Sequence, residues 1–292
     1  MSMNHMKKGL LIILVISLFA MNALADVIEL PMDASGGLPT GKEYKTGMTD
    51  YEDPSISFHY DRVESAEWGC TYYVVRVKIA NGTQIRTESA RGWESKGRVL
   101  GSAISKRVNA VVSCNGDYFS GRSGSYLLRQ GTELRSSMDP GQDVLLIDED
   151  GDFHIILADD KPEEMDKTVI DGKKINNALC FGPAMLIDGE KVLNPDHEQK
   201  NTKGKHLAPR LCICQTGPLE YMIVTCAKYG MTLDAFTDLA KELGAVQAYN
   251  LDGGNSACLY LFGHKINDTS KGEARQLSDI LYFASAWEPD KE

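Results

Sequence analysis

From Cys70 onward the sequence is divided into short apolar runs that end in turn residues, and this pattern limits the possible folds most strongly. Residues 72–80 alternate between apolar and polar side chains, which is typical of a half-buried strand. Residues 110–114 form a short apolar run that leads directly into Asn115-Gly116. Similar runs near 245–251, 257–262 and 277–284 predict further strands, so sheets should dominate the fold.

Two hairpins are predicted where Asp-Gly pairs interrupt apolar runs. Residues 144–157 should fold back at the acidic segment 148–152, and residues 184–192 at Asp188-Gly189. The acidic segment does not match a calcium-binding EF-hand loop, which needs Gly at its sixth position and Glu at its twelfth. Counted from Asp148, those positions hold Phe153 and Asp159, so a solvated turn is the better interpretation.

The clearest helix covers residues 232–243. Thr232 is a suitable N-cap, and Asp234 places a negative charge in the first turn. Gly244 supplies the C-terminal stop. The apolar positions share one face, which consists of Leu233, Phe236, Leu239, Ala240 and Leu243. A second helix is expected over 99–108.

Together these elements predict the α+β class, with a single domain of mixed β-sheets and a few packed helices at 67–292. Residues 26–66 are rich in Gly, Pro, Asp and Thr and show no sustained period. They are therefore expected to form an N-terminal linker or extended segment that packs against the domain.

The first 25 residues have the features of an export signal. Lys7 and Lys8 precede an apolar run over 9–20, and Ala23-Leu24-Ala25 gives a cleavage pattern before Asp26. The run is short for a membrane span, which needs about 20 apolar residues. An uncleaved anchor is the alternative. We expect a secreted or cell-envelope protein with no stable membrane span after signal cleavage.

The composition excludes one class of partner and leaves the redox state open. The chain has 41 Asp and Glu residues against 31 Lys and Arg, a balance that argues against nucleic acid as a partner. The seven cysteines are an odd number and lie mostly in apolar stretches, where a free thiol behaves as a small hydrophobic group. Buried thiols are favoured, and one or two disulfides stay open. Cys212 and Cys214 should share one face of a strand.

The most informative segment is 249–256, in which a buried strand ends in Asn250-Leu251-Asp252-Gly253-Gly254-Asn255-Ser256. Paired glycines allow a sharp turn and leave backbone N–H groups uncovered, which favours anion binding. Asp252, at the end of a rigid strand, is a natural catalytic or metal-binding residue. An ordinary hairpin turn explains the same residues equally well.

Two further segments place polar groups at strand ends. The strand over 110–114 delivers Asn115, Gly116 and Asp117 to a loop, followed by Tyr118 and Phe119, which are either a sugar platform or core. Arg210 leads into a buried strand and could clamp a phosphate through two parallel hydrogen bonds, or form a structural ion pair. His206 nearby is expected to be an exposed loop residue.

The order of these segments resembles the phosphodiester glycosidase family. The resemblance rests on six segments between Cys70 and Ala284: 115–119, 181–183 before Asp188-Gly189, Pro209-Arg210, 230–233, 250–256 and 275–279. Two positions depart from the family pattern, which usually has Gly at Asn255 and a smaller or hydroxyl residue at Leu211. The G-x-S-x-G, H-E-x-x-H and phosphate-loop motifs are absent, so the common hydrolase templates do not apply.

The resemblance implies hydrolysis of a sugar-1-phosphodiester, probed best with a GlcNAc phosphodiester, on a cell-surface or extracellular glycan. Free sugar and a phosphomonoester would be released. The hypothesis assigns catalytic roles to Asp252 or Asp117, which would activate water or attack the anomeric carbon, and to Arg210, which would hold the phosphate. Substrate binding is assigned to Asn115, Gly116, Gly253, Gly254, Asn255, Ser256, Arg275 and Asp279. Arg275 and Asp279 could instead form an ion pair that fastens the C-terminal strand.

Three questions stay open at this level. Clustered Asp and Asn oxygens could bind Ca²⁺ or Mg²⁺, but no spacing demands a metal or any other cofactor. The same cleft could bind a surface glycan during exopolysaccharide assembly without cleaving it. A phosphodiesterase that cuts the other P–O bond and releases sugar-1-phosphate is the third possibility.

Overall fold

The computed structural model describes residues 26–193, 206–226, 229–269 and 274–288. The expected export signal, residues 1–25, lies outside the described residues. The α-helices are α1 (Gly101–Arg107) and α2 (Leu233–Glu242). The strands are β1 (Asp50–Glu52), β2 (Ile56–Ser65), β3 (Cys70–Ile79), β4 (Ile85–Ser89), β5 (Val99–Leu100), β6 (Ala110–Asn115), β7 (Leu127–Arg129), β8 (Thr132–Arg135), β9 (Val144–Asp148), β10 (Phe153–Ile156), β11 (Val169–Ile170), β12 (Lys173–Leu179), β13 (Ala184–Ile187), β14 (Glu190–Lys191), β15 (Leu211–Gly217), β16 (Glu220–Cys226), β17 (Gln247–Leu251), β18 (Leu259–Leu261), β19 (His264–Lys265), β20 (Gln276–Leu277) and β21 (Asp279–Ala284).

Three sheets make up most of the structure. An eight-stranded sheet has the order β1-β2-β3-β16-β15-β17-β13-β14, a five-stranded sheet the order β19-β18-β6-β21-β4, and a four-stranded sheet the order β10-β9-β12-β11. Two small ribbons, β20-β5 and β7-β8, complete the arrangement in the described ranges. The predicted α+β class with mixed sheets and a few helices is confirmed.

The main hydrophobic core lies between the three sheets. It contains buried side chains from the eight-stranded sheet, the five-stranded sheet and the four-stranded sheet, among them Val75, Ile213, Val112, Leu281 and Leu145. Each helix covers an outer face: α2 packs against the eight-stranded sheet, and α1 packs against the five-stranded sheet. Strands that are buried on both faces have nearly continuous apolar sequences, and the short apolar runs of this chain match that expectation.

Helix α2 begins and ends where its sequence predicts. The Thr232 hydroxyl accepts a hydrogen bond from the Ala235 N–H at 3.2 Å, which satisfies one of the free donors of the first turn. Gly244 adopts a φ of +96°, a left-handed conformation in which glycine avoids the steric cost of a Cβ. Both hairpins also form as predicted, as β9–β10 and β13–β14.

The segment 26–66 contains more regular structure than its sequence predicts. Strand β2 pairs with β3 along its whole length, from Ile56 opposite Ile79 to Ser65 opposite Cys70. Ile56 and Phe58 enter the main core, whereas the rest of the strand alternates polar and half-buried residues. Only two apolar anchors support this strand, so its pairing with β3 stabilises it, and a local pattern could not show that.

The second predicted helix is shorter than expected, because Val99–Leu100 pair with β20 before α1 begins at Gly101.

All seven cysteines are buried and unpaired. Cys212 and Cys214 share a face as predicted, with their sulfur atoms 3.6 Å apart.

A buried arginine fastens the N-terminal segment to the domain. Arg86 of β4 is completely buried, and its guanidinium donates to the carbonyl oxygens of Pro31 at 2.8 Å, Asp33 at 2.7 Å and Thr83 at 3.1 Å. Its Nε donates to the Tyr282 hydroxyl at 3.1 Å. Backbone dipoles thus replace the water that this cation loses on folding.

We expect Arg86→Met to lower the free energy of unfolding by about 2–4 kcal/mol, since the carbonyl groups lose charge-assisted donors. Urea denaturation measures the loss, and limited proteolysis should show earlier cleavage before residue 40. Arg62→Met is the matched control, because Arg62 is exposed on β2, where it pairs with Glu64 and contacts Tyr73. Equal losses in the two variants would contradict the anchoring role.

Candidate active site

Three strand ends meet at one edge of the molecule and form a small cleft. Strand β6 ends at Asn115, β17 ends at Leu251, and β21 begins at Asp279 beside the end of β6. The cleft is lined by Arg98, Asn115, Gly116, Tyr118, Asp252, Ser256, Arg275, Gln276, Leu277, Ser278 and Asp279. The two polar strand ends predicted from the sequence therefore do converge, and the start of β21 joins them.

Asp252 is the half-buried carboxylate of this cleft. Burial raises its pKa above the usual value. Four groups oppose that effect: the Ser256 hydroxyl, the positive charge of Arg275, the Gly253 N–H and the positive charge of Arg122. A carboxylate that is partly desolvated, yet held by donors and open to a cleft, suits nucleophilic or general-base chemistry.

Asp117 lies beneath the cleft in a buried ion pair. Its Oδ1 accepts a hydrogen bond from Nη2 of Arg129 at 2.9 Å, and its Oδ2 accepts one from the Cys180 N–H at 2.9 Å. Both side chains of the ion pair are almost fully buried. Burial would raise the pKa of Asp117, but the Arg129 charge and these hydrogen bonds hold it below the usual value. Its oxygens are engaged, so the structure does not support the predicted catalytic role of Asp117.

Asp279 forms a second buried carboxyl group that does reach the cleft. Its Oδ2 accepts the Asp117 N–H at 3.0 Å, and its Oδ1 accepts the Ser278 hydroxyl at 2.6 Å. Burial and the negative charge of Asp117 raise the pKa of Asp279 to about 7. Gly116 makes this approach possible, because a Cβ there would lie 1.9 Å from the Asp279 Oδ2.

Several residues predicted to contact substrate instead hold the cleft together. The Asn115 amide donates to the Asp252 carbonyl at 2.8 Å, and its oxygen accepts the Cys258 N–H at 3.1 Å. The Gly254 N–H donates to the Pro209 carbonyl at 2.9 Å. The Gly253 N–H is directed to Asp252. The Gly254 N–H is thus engaged within the fold, and the phosphate cradle of glycine N–H groups stays a prediction.

The structure does not bring Arg210 to the cleft. Its guanidinium donates to the carbonyl oxygens of Met231 at 3.2 Å and His206 at 2.8 Å. Arg210 lies two residues before Cys212, whose side chain packs beneath α2, and side chains two apart on a strand share a face. Arg210 does not line the cleft, and its buried side chain fastens the loop before α2. His206 is exposed, as predicted.

The cations at the cleft are Arg275 and Arg98. Arg275 is exposed, and its N–H donates to the Asn255 carbonyl at 3.2 Å, so Asn255 positions the arginine backbone. The charge of Arg275 acts on Asp252, and the described residues contain no ion pair between Arg275 and Asp279. Arg98 lies in the irregular loop 90–98. No sequence pattern there indicates a role at the cleft for this arginine. Phe119 is core, whereas Tyr118 lines the cleft.

Within the described ranges, no cluster of three or more His, Cys, Asp or Glu side chains could hold a metal ion. The oxygens of Asn115 and Asp117 are already engaged by protein donors.

Comparison with solved structures shows the same fold in three proteins of low sequence identity. The chain is similar to the catalytic domain of zebrafish N-acetylglucosamine-1-phosphodiester alpha-N-acetylglucosaminidase, auto-inhibited by its pro-peptide. The identity is 15% and the TM-score 0.63, over 90% of this chain and 99% of that one. A hypothetical protein from Synechocystis matches at 16% identity and a TM-score of 0.52, over 78% of this chain and 62% of that one.

A putative exported protein from Burkholderia pseudomallei matches at 11% identity and a TM-score of 0.51, over 74% of each chain. No curated protein matches the sequence at a significant level. None of the described helices is long and apolar enough to cross a membrane.

The mixed-sheet fold gathers carboxyl groups and arginines at one cleft. The phosphodiester glycosidase family model matches residues 108–284, which is more than half of the chain, and the chain belongs to this family. The resemblance predicted from the sequence is confirmed.

The raised pKa of Asp279 gives stability a specific pH dependence. In the unfolded chain the carboxyl titrates near 3.8, and in the folded protein near 7. Its contribution to stability is therefore fully present below about pH 4 and is lost as the pH rises through about 7.

Asp279→Asn removes this titration, because the amide stays neutral. Between about pH 5 and about pH 8, the free energy of unfolding of the variant should gain roughly 2–3 kcal/mol relative to the wild type. Urea denaturation at the two pH values measures this. Asp171→Asn, on an exposed turn, is the control and should follow the wild type. A pH-independent difference for Asp279→Asn would show that the carboxyl is ionised in the folded protein.

Proposed function

We propose that the protein is an exported glycosidase that hydrolyses a sugar-1-phosphodiester, releasing the free sugar and leaving a phosphomonoester on the other component. The observation that carries the proposal is the half-buried Asp252 carboxylate, which faces a cleft together with Asp279 and the exposed Arg275. Membership of the phosphodiester glycosidase family supports this reaction type.

The cations at the cleft suit the leaving group of such a reaction. A phosphomonoester is already a good leaving group and needs charge neutralisation more than protonation. An arginine supplies this through charge-assisted hydrogen bonds that a planar guanidinium can make in pairs. Arg275 is assigned this role in place of Arg210, because it lines the cleft and its charge acts on Asp252.

Asp252 is the proposed group that acts at the anomeric carbon, either as nucleophile or as the base that activates water. The Ser256 hydroxyl and the Gly253 N–H hold its carboxylate. The Asn115 amide holds its backbone carbonyl. These bonds fix the position of the reactive oxygen before substrate arrives, which lowers the entropic cost of reaching the transition state.

Asp279 is the proposed proton-holding group of the site. Beside the ionised Asp117 it stays protonated up to about neutral pH, because two negative charges cannot share the buried site without cost. Its proton is held in a side-chain hydrogen bond with the Asp117 carboxylate. When substrate is present, the carboxyl can turn this proton to a sugar hydroxyl or to the departing phosphate oxygen.

Export and a glycan substrate complete the proposal. Residues 1–25 have an export-signal pattern, and one protein of similar fold is described as a putative exported protein. The zebrafish protein of similar fold is named for its action on an N-acetylglucosamine-1-phosphodiester. We therefore choose a methyl diester of GlcNAc-1-phosphate as the first substrate, with surface glycans as the second panel.

Asp252→Asn should lower kcat by about 10²–10⁴-fold, since the amide cannot attack carbon or accept a proton. The amide is nearly isosteric, so the thermal unfolding temperature should change little. The assay incubates purified mature protein with the diester, with and without EDTA, and measures the release of free sugar and of phosphomonoester in the same samples. Asp171→Asn is again the control and should retain full activity.

The products separate the alternatives. Free sugar with a phosphomonoester supports the glycosidase, sugar-1-phosphate indicates a phosphodiesterase, and binding without any product indicates a glycan-binding protein. Near-normal turnover by Asp252→Asn would falsify the assignment of Asp252. A loss of activity in EDTA that added Ca²⁺ or Mg²⁺ restores would establish a metal requirement.

The pH profile of kcat/KM provides an independent check on Asp279. Activity should rise with pH as Asp252 ionises and fall through about pH 7 as Asp279 loses its proton. In Asp279→Asn the alkaline fall should disappear, because the amide keeps a donor at every pH. An unchanged alkaline limb in this variant would assign that limb to another group.

A further inference from the structure

Arg98 is a cation at the mouth of the cleft without a carboxylate partner among the residues that the structure describes. It is exposed, and its Nη2 donates to the Tyr118 hydroxyl at 2.6 Å. Its Cζ lies 4.7 Å from the centre of the Tyr118 ring. A guanidinium over an aromatic face is held by a cation–π contact, which is weak where solvent has access. Most donors of this arginine therefore stay available to a ligand.

The backbone of the loop fixes the position of Tyr118. Its φ of +60° lies in the left-handed region, which bulky residues rarely adopt and which recurs at ligand-binding sites. Gly121 accommodates the ring, since a Cβ at that position would lie 2.2 Å from the Tyr118 Cζ. The local backbone thus holds the tyrosine where it meets Arg98.

Arg98 and Tyr118 form part of the wall of the cleft, whose empty space, counted together with the solvent at its mouth, is about 240 Å³. Most of its walls are fixed, because Asn115, Ser256 and Asp279 are buried and hydrogen-bonded within the fold. The Arg98–Tyr118 contact is exposed, so it is the part of the wall that can move at little cost.

We propose that Arg98 determines specificity for the phosphate: its guanidinium leaves Tyr118 to bind the phosphate of the substrate, and this movement widens the cleft. The inference rests on the proposed function, because it assumes a phosphodiester beside Asp252. The exchange is favourable, since paired charge-assisted bonds to a phosphate are stronger than an exposed cation–π contact. Arg275, just before the strand that pairs with β5, then neutralises the phosphate charge. Arg98 at the entrance favours substrates that carry this phosphate.

The test compares a charged and a neutral leaving group. With the methyl diester of GlcNAc-1-phosphate, Arg98→Ala should raise KM by roughly 10- to 100-fold and change kcat less. With the neutral 4-nitrophenyl N-acetyl-α-glucosaminide, its kcat/KM should equal that of the wild type or exceed it. Arg98→Lys keeps the charge without the planar fork and should recover part of the diester KM. Equal losses on both substrates, or no loss on either, would overturn the proposal.

Two controls separate local from general effects. Arg91→Ala removes an exposed arginine of the same loop that does not line the cleft, and it should match the wild type on both substrates. Tyr118→Phe removes the acceptor of Arg98 but keeps the ring, so the diester KM should stay the same or fall. A rise in KM in Tyr118→Phe would show that the arginine acts from its position on the tyrosine.

Binding of inorganic phosphate keeps the two proposals distinguishable. If the wild type releases no sugar from the diester, the proposed function fails, and calorimetric titration with phosphate then tests Arg98 alone. Weaker phosphate binding by Arg98→Ala than by Arg91→Ala supports the role of Arg98 as a phosphate ligand. Equal binding by the two variants contradicts it whatever the activity of the wild type.

Discussion

The ion pair between Asp117 and Arg129 lies under the cleft, and the rest of the site depends on it. Two charges buried together are tolerated only when they face each other and when protein groups satisfy their other polar atoms. Here the Cys180 N–H completes the carboxylate, and the carbonyl oxygens of Leu128 and Ala178 accept from the guanidinium. The Arg129 Nε makes no hydrogen bond within the described residues, and the guanidinium lies over the Trp93 ring. The pair therefore connects the loop after β6 with β7 and β12, and it places a fixed negative charge behind Asp279.

The fixed charge of Asp117 helps to give three neighbouring carboxyl groups different pKa values. Asp117 stays ionised because Arg129 faces it, and its charge keeps Asp279 protonated up to about neutral pH. Asp252 lies apart from this pair at the half-buried end of β17, where Ser256 and Arg275 favour its ionised form. One buried arginine thus keeps Asp117 ionised and Asp279 protonated beside the half-buried Asp252 carboxylate, and carboxyl groups with such unequal pKa values can divide acid and base roles.

The floor and the mouth of the cleft differ in rigidity for a physical reason. The floor is made of strand ends whose polar groups bond within the fold, such as Asn115 with the Asp252 carbonyl and Gly254 with the Pro209 carbonyl. The mouth is made of Arg98 and Arg275, exposed side chains on irregular segments. The floor therefore fixes the positions of the carboxyl groups, whereas the two arginine side chains at the mouth are exposed to solvent.

Much of the fold could be predicted because the relevant signals are local. The cap at Thr232, the stop at Gly244 and the Asp-Gly hairpins depend on a few neighbouring residues, and the structure confirms them. Strand β2 could not be predicted, because only Ile56 and Phe58 enter the core and β3 supplies the rest of its stability.

The candidate site, like the fold, has features that local sequence predicts and features that depend on long-range packing. The sequence alone determined which strand ends carry polar groups, and so it pointed to Asp252, Asn115 and Asp279. Only the tertiary structure decided which of those groups face the cleft. It turned Arg210 toward the α2 side, engaged the Gly254 N–H within the fold, and brought Arg98 from a loop without a motif. The reason is that a side chain's role depends on the partners that long-range packing brings to it, and spacing along the chain does not encode those partners.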